Sequence, residues 1–212
     1  MTTSPDGSPD QLDEVLERSR EHGFLGPGPV APQREHARVF VSPLQAASRV
    51  LDLGSGGGVP GLVLAWELPA LEVVLLDAMA KRCDFLETAV AELGLGARVQ
   101  VACGRAEELA RDEQWRRSFP VVVARSFGPP AVLAECAVGF LTGPGARLLV
   151  SEPPDATASE LRWPDAGLAV LGLARRRLER SHGGTVQELV MTAPPADRYP
   201  RRVGVPAKRP LF

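Results

Sequence analysis

The sequence predicts an α/β fold: a mostly parallel seven-stranded sheet with helices on both faces and an antiparallel strand late in the chain. Three observations carry this. Five short, almost continuously apolar runs alternate with segments of helical spacing between residues 49 and 150, the pattern of strands buried on both faces. A glycine-rich loop follows the first run directly and an acid closes the second, and open α/β sheets bind ligands at that carboxyl edge. Two further runs flank Gly183-Gly184, the signal of a late hairpin.

Each element follows from local pattern. Residues 1–10 are polar with prolines and a glycine and are expected to be loose. Residues 11–22 can form a short charged helix with a thin apolar stripe of Leu12, Val15 and Leu16. Gly26-Pro27-Gly28-Pro29 and Pro32 then break regular structure and read as a linker. Residues 49–53 are the first strand, and 62–68 a helix stopped near Pro69. Residues 72–77 are the second strand. Residues 79–93 are a helix with Phe85, Leu86, Ala89, Val90 and Leu93 on one face and Gly94 as its stop. Strands follow at 98–102 and 119–124, then a helix at 131–141, the turn Gly143-Pro144-Gly145 and a strand at 147–150. The hairpin strands are 168–178 and 185–192, and a Pro- and Arg-rich tail runs extended over the surface. The division expected is a flexible N-terminal segment with a short helix and Pro/Gly linker (1–47), the main domain (48–193) and a basic tail (194–212).

Composition limits the function classes. A chain of 212 residues is one domain, or one with an appendage. The apolar fraction of 44% is that of a globular protein. Aromatic residues are 5%, with a single tyrosine, too few for a stacking platform on bare nucleic acid. Cys83, Cys103 and Cys136 are far apart and form no C-x-x-C pair, which fits neither a disulfide scaffold nor a zinc ribbon, so no metal is expected. With no cationic, apolar leader at the start and no apolar run near 18 residues, a cytoplasmic protein without a membrane partner is expected. The formal net charge of −2 hides an asymmetry: residues 175–212 hold nine bases against three acids, and the remainder fifteen against twenty-three. A basic end on an acidic body can face a polyanion.

The sharpest motif is Asp52-Leu53-Gly54-Ser55-Gly56-Gly57-Gly58-Val59-Pro60-Gly61. Residues 56–61 fit the G-x-G-x-x-G dinucleotide fingerprint, with Asp77 about where a ribose-binding acid belongs. Pro60 weighs against that reading, because it supplies no N–H where a pyrophosphate would need one. Residues 52–58 also fit Asp-x-Gly-x-Gly-x-Gly. That loop suits S-adenosylmethionine, which carries an amine and a sulfonium and no phosphate. Asp52 would orient the loop, with Gly54 and Gly56 in its close turns, and face the positive charge. Asp77 would accept from both ribose hydroxyls. Arg105-Ala106-Glu107-Glu108 follows the third strand, where an adenine edge would lie, and Arg125 closes the fourth. His22, His36 and His182 read as surface histidines, and no acid–base triad is evident.

The loop at 52–61 closely resembles that of the glucose-inhibited division protein B family, methyltransferases that modify N7 of a guanine in small-subunit (16S) ribosomal RNA. Leu75-Leu76-Asp77 with Lys81-Arg82 and Phe85-Leu86, Arg105-Ala106-Glu107-Glu108, Ala124-Arg125-Ser126-Phe127, and the end from Arg198 to Leu211 are also similar to family motifs. The resemblance implies a class I methyltransferase fold, Rossmann-like, and an S-adenosylmethionine-dependent enzyme acting on ribosomal RNA or the small ribosomal subunit, expected as a monomer. It implies cofactor contacts at Gly54, Val59, Ala106, Glu107 and Arg125, the last also expected at the reaction centre. Lys81, Arg82, Arg201, Arg202, Lys208 and Arg209 are the candidates for RNA phosphate contact. Ser151-Glu152-Pro153-Pro154 stands where the family tends to carry Lys-Gly. A carboxylate there is expected to repel phosphate, which would suit the alternatives, a small-molecule methyltransferase or a non-catalytic RNA- or ribosome-interacting protein.

Overall fold

A computed structural model describes residues 9–153 and 159–212. Residues 1–8, expected to be loose, and Pro154 of the Ser-Glu-Pro-Pro stretch lie outside the described residues. Seven strands form one sheet: β1 (Arg49–Leu53), β2 (Glu72–Asp77), β3 (Val99–Cys103), β4 (Val121–Ala124), β5 (Arg147–Glu152), β6 (Leu173–Ser181) and β7 (Gly184–Met191). Their order is β3-β2-β1-β4-β5-β7-β6. The first five run parallel, and β7 pairs antiparallel with both β5 and β6. The order reverses between β1 and β4, so the loops after these strands open a crevice there.

The apolar runs are explained by the two layers they serve. In β1, Val50 faces one core with Val73, Leu75, Val121 and Val123, while Leu51 and Leu53 face the other with Val74, Leu76 and Val122. A strand with both faces covered needs an apolar residue at every position, so alternation disappears. One face is covered by α1 (Pro9–Glu21), α2 (Val30–Ala37), α3 (Val41–Leu44), α4 (Gly61–Glu67) and α5 (Ala80–Glu92). The other is covered by α6 (Ala106–Leu109), α7 (Pro130–Val138) and α9 (Asp165–Val170), with the short α8 (Ser159–Arg162) just before α9.

Three expectations need correction. The helix expected over 11–22 is α1 (Pro9–Glu21), but the segment that follows it is not a linker. α2, a 3₁₀ turn (Arg38–Phe40) and α3 bury Val30, Ala37, Val39, Phe40 and Leu44 in the same core as β1. Pro32 does not prevent this because it falls in the first turn of α2, where no intrahelical N–H bond is lost. The ion pair Arg34–Asp13 (3.0 Å) ties α2 to α1, and Arg38–Glu67 (3.1 Å) ties the 3₁₀ turn to α4. The late hairpin begins at Leu173 rather than near 168, since Leu168 belongs to α9. Gly172, at φ +69°, makes the break, and a Cβ there would lie 2.0 Å from the Ala193 carbonyl oxygen. The tail is not wholly extended: Tyr199 and Pro206 are buried, and α10 (Val205–Lys208) packs on α7. No helix among the described residues is long and apolar enough to cross a membrane.

Candidate active site

The glycine loop leaves β1 and is pinned to the end of β2. The N–H groups of Gly54 and Ser55 both donate to the Leu76 carbonyl, at 2.8 and 2.9 Å. Gly54, Gly56 and Gly58 lie at φ +76°, +53° and +98°, where a Cβ is costly. At Gly54 it would also meet the Phe127 ring at 2.6 Å. Asp52 is fully buried beneath this loop. Its Oδ2 accepts from the Gly61 N–H at 2.9 Å, and its Oδ1 has no hydrogen-bond partner among the described residues. Burial pushes its carboxyl up to about 7, with the nearby Asp77 adding to the rise and the Gly61 N–H, Ser55 and Arg125 opposing it.

Asp77 is buried at the end of β2 and ties the loop down. Its Oδ2 accepts from the Gly56 N–H and its Oδ1 from the Met79 N–H, both at 2.9 Å, with Arg82 at 3.5 Å. A carboxylate has about four lone-pair sites, so two remain for further donors. Arg125 closes β4 half-buried. Its nearest partner is Gln33, at 3.5 Å from one terminal nitrogen, and the other terminal nitrogen is buried without a partner. Burial lowers its pKa, against the field of Asp52. Ser126 follows at φ +57°, a conformation that costs energy outside glycine and gathers at functional sites.

Two cavities meet at Arg125 and Ser126. The first, about 210 Å³, lies over the glycine loop, walled by Gly54 to Gly57, Val59, Arg82, Gln33 and the segment Phe24 to Gly26. Ser19 Oγ donates to the Gly57 carbonyl at 2.9 Å, fastening α1 to that wall. The second, about 370 Å³, lies at the ends of β4 and β5, lined by His36, Phe127, Ser151, Glu152 and Trp163 among others. Asp52 Oδ1 and one terminal nitrogen of Arg125, atoms of opposite groups without partners among the described residues, flank a loop with little side-chain bulk. That set fits a ligand with a cationic centre and a carboxylate, such as the amino-acid end of S-adenosylmethionine, and offers no cluster of free N–H groups for a pyrophosphate.

The remaining residues divide. Ala106 is buried, and Glu107 accepts from the Gly204 N–H at 3.0 Å, bringing the tail to the expected adenine edge. Lys81, Arg202, Lys208 and Arg209 are exposed. Arg82 is half-buried toward Asp77 and belongs to the first cavity rather than to an open phosphate surface. Arg201 grips the fully buried Glu135 through its Nε (2.8 Å), a terminal nitrogen (2.6 Å) and its backbone N–H (2.8 Å), and Glu135 raises its pKa. It holds the tail to α7. Glu152 lines the second cavity, but its carboxylate is tied back into the wall, accepting from Arg162 Nε (2.6 Å) and Trp163 Nε1 (2.5 Å).

His36 is not a surface residue. It is half-buried, its Nε2 lies 3.0 Å from Ser151 Oγ, and burial, then the charge of Arg125, lowers its pKa. Sequence reasoning missed Ser151, Phe127 and Trp163 as cavity walls. Only the strand-end position of Ser151 could have signalled them. His22 and His182 are exposed, as expected. No group of three or more potential metal ligands occurs among the described residues.

Known proteins bear on this geometry at two levels. Solved structures share the fold. A putative O-methyltransferase from Klebsiella pneumoniae superposes with a TM-score of 0.61 at 18% identity, over 88% of this chain and 91% of that one. An O-methyltransferase from Bacillus cereus, solved with S-adenosylhomocysteine, gives 0.60 at 18% identity, over 87% and 92%. Sequence relatives are nearer. The ribosomal RNA small subunit methyltransferase G of Moorella thermoacetica is 35% identical over 171 residues, 78% of this chain and 70% of that protein. That of Rubrobacter xylanophilus is 39% identical over 183 residues, 82% and 69%. The family profile matches residues 37–161, which take in the glycine loop, Asp77, Arg125 and Ser151. The chain therefore belongs to the GidB family, rRNA small subunit methyltransferase G.

Proposed function

We propose that this protein transfers a methyl group from S-adenosylmethionine to N7 of a guanine in 16S ribosomal RNA, as a cytoplasmic monomer acting on the RNA or the small ribosomal subunit. The observation that carries it is the placement of Asp52, buried, and Arg125, half-buried, opposite groups each with an unpartnered atom, across the glycine loop of a chain in this family. S-adenosylmethionine supplies a methyl group already activated by its sulfonium. Asp52, Gly54, Gly56 and Val59 would hold the amino-acid end, Asp77 the ribose, and Ala106 with Glu107 the adenine. Arg125, which lines both cavities, would bind the cofactor and mark the point where the methyl group crosses.

The chain has little proton chemistry to perform. Guanine N7 has a free lone pair, so the attack needs no general base, and the protein's contribution is alignment. Closing the loop, Arg125 and the Phe24–Gly26 wall over the reacting atoms would also exclude water. RNA would be held by the exposed Lys81, Arg202, Lys208 and Arg209. Because Glu152 is paired with Arg162, it weighs less toward a small-molecule acceptor than its sequence position suggests.

The test pairs calorimetric titration of S-adenosylmethionine with methylation of 16S RNA from cells lacking the protein. The expected outcome is saturable binding that Asp77→Ala weakens at least tenfold, and methyl incorporation mapped to a guanine N7. Binding without transfer to guanine N7 would overturn the proposed activity.

A further inference from the structure

The second cavity contains a pairing that neither the glycine loop nor the cofactor requires. His36, from α2, and Ser151, from the end of β5, are 115 residues apart, yet Nε2 and Oγ lie 3.0 Å apart on the cavity wall. The position is built rather than incidental. The His36 ring packs against Gly184, where a Cβ would come within 3.1 Å of it. Next to Ser151, the Glu152 carboxylate is held by Arg162 and Trp163, which ties that part of the wall together. Burial and the adjacent Arg125 keep the imidazole neutral near pH 7. In the tautomer with its proton on Nε2, His36 donates to Ser151 Oγ and leaves the serine hydroxyl proton directed to the cavity.

The cavity has a shape and donor set that suit one purine. Its volume of about 370 Å³ falls in the range of small-ligand sites. Phe127 offers an aromatic wall, and extruded bases are held by such walls and by hydrogen bonds to their edges. For methylation at N7, that atom must face the first cavity through the junction at Arg125. The C6 position, beside C5 on the same edge of the base, then falls within the second cavity. In guanine that position carries O6, an acceptor; in adenine it carries an amino group, a donor.

We propose that the cavity receives the acceptor guanine and that the Ser151 hydroxyl, oriented by His36, donates to its O6. This rests on the methyltransferase activity proposed above. Ser151 would touch the substrate, and His36 would be a positioning residue acting through it. Arg125, a donor only, would disfavour adenine at the same place.

The experiment measures methyl transfer to 16S RNA and S-adenosylmethionine affinity in Ser151→Ala, Ser151→Thr, His36→Leu and the Ser151→Ala/His36→Leu double variant, with thermal unfolding as the folding control. Ser151→Ala should lower transfer about tenfold, the scale of one lost hydrogen bond to substrate. Its cofactor affinity should stay within about twofold of wild type, the scatter expected when no direct contact is lost. Ser151→Thr keeps a hydroxyl and should recover most of the activity. His36→Leu should lower transfer in the wild-type background and add nothing in the Ser151→Ala background. Full activity in Ser151→Ala, additive losses in the double variant, or a loss confined to cofactor binding would each overturn the assignment. A wild type that binds cofactor and methylates no guanine would instead overturn the underlying activity, and the pocket with it.

Discussion

Asp52 shows how one buried group sets two properties in opposite directions. Its carboxyl is pushed up to about 7 from an ordinary value of 3.8, chiefly by burial. A raised carboxyl stabilises the fold below the unfolded value, where it is protonated in both states. That contribution is lost as pH rises through about 7. The same ionisation creates the anion that would face a cationic ligand. Affinity for S-adenosylmethionine should therefore rise between pH 6 and 8 while thermal stability falls. Asp52→Asn keeps an acceptor for the Gly61 N–H but has no charge to gain. Its affinity should be low and flat with pH, and its unfolding midpoint above pH 7 should exceed that of wild type by roughly 5 °C, on a scale of about 2–4 °C per kcal/mol for a chain of this size. Titration calorimetry and unfolding scans at pH 6 and 8 check both. A wild-type affinity independent of pH would mean that Asp52 does not face the ligand's positive charge.

At the level of elements, the tail and the glycine loop are each held by a contact that local sequence does not reveal. Arg201→Ala would leave Glu135 charged and fully buried, a change worth about 3–5 kcal/mol, so the unfolding midpoint should drop by roughly 10 °C. Arg201→Ala with Glu135→Leu should regain most of it. Gly61 stands where a Cβ would lie 2.5 Å from Asp52 Oδ2 and 2.2 Å from a Leu75 methyl. Gly61→Ala should cost about 1–3 kcal/mol through overpacking and weaken cofactor binding, read by unfolding and titration together. The legible parts were those whose cause is local. Strands β1 to β5 announced themselves because burial on both faces demands apolar runs, and the loop did so because three positive φ angles demand glycine. Helix α2 stayed hidden because its proline signals a break unless one knows that Pro32 falls in a first turn. Arg201 read as a free cation, and His36 as a surface side chain, because their partners lie 66 and 115 residues away. No periodicity records a pairing of that kind.

For the whole molecule, the question is how a chain with a formal charge of −2 would hold a polyanion. Overall attraction is absent, so binding has to come from the placement of a few cations. The surplus of residues 175–212 shrinks once Arg201 is assigned to Glu135 and Arg177 to Glu188. Of the candidate phosphate contacts, Arg202, Lys208 and Arg209 stay outward on the tail, with Lys81 at the start of α5 as a further exposed cation. Each cation that neutralises a phosphate releases a counterion and adds nearly one unit to the slope of log affinity against log salt, about 0.7 for single strands and 0.9 for duplex. Four such contacts would give a slope near −3, far shallower than for a protein basic over its whole surface. Arg202→Glu, Lys208→Glu and Arg209→Glu should each leave stability and cofactor affinity unchanged and reduce the slope by about one. Arg201→Glu should instead unfold the tail, placing a second carboxylate beside Glu135. Filter binding of 16S RNA between 50 and 200 mM salt, a range over which several contacts give measurable losses, distinguishes the two. Equal slopes in wild type and in a triple variant of the three outward tail cations would show that RNA docks on another face.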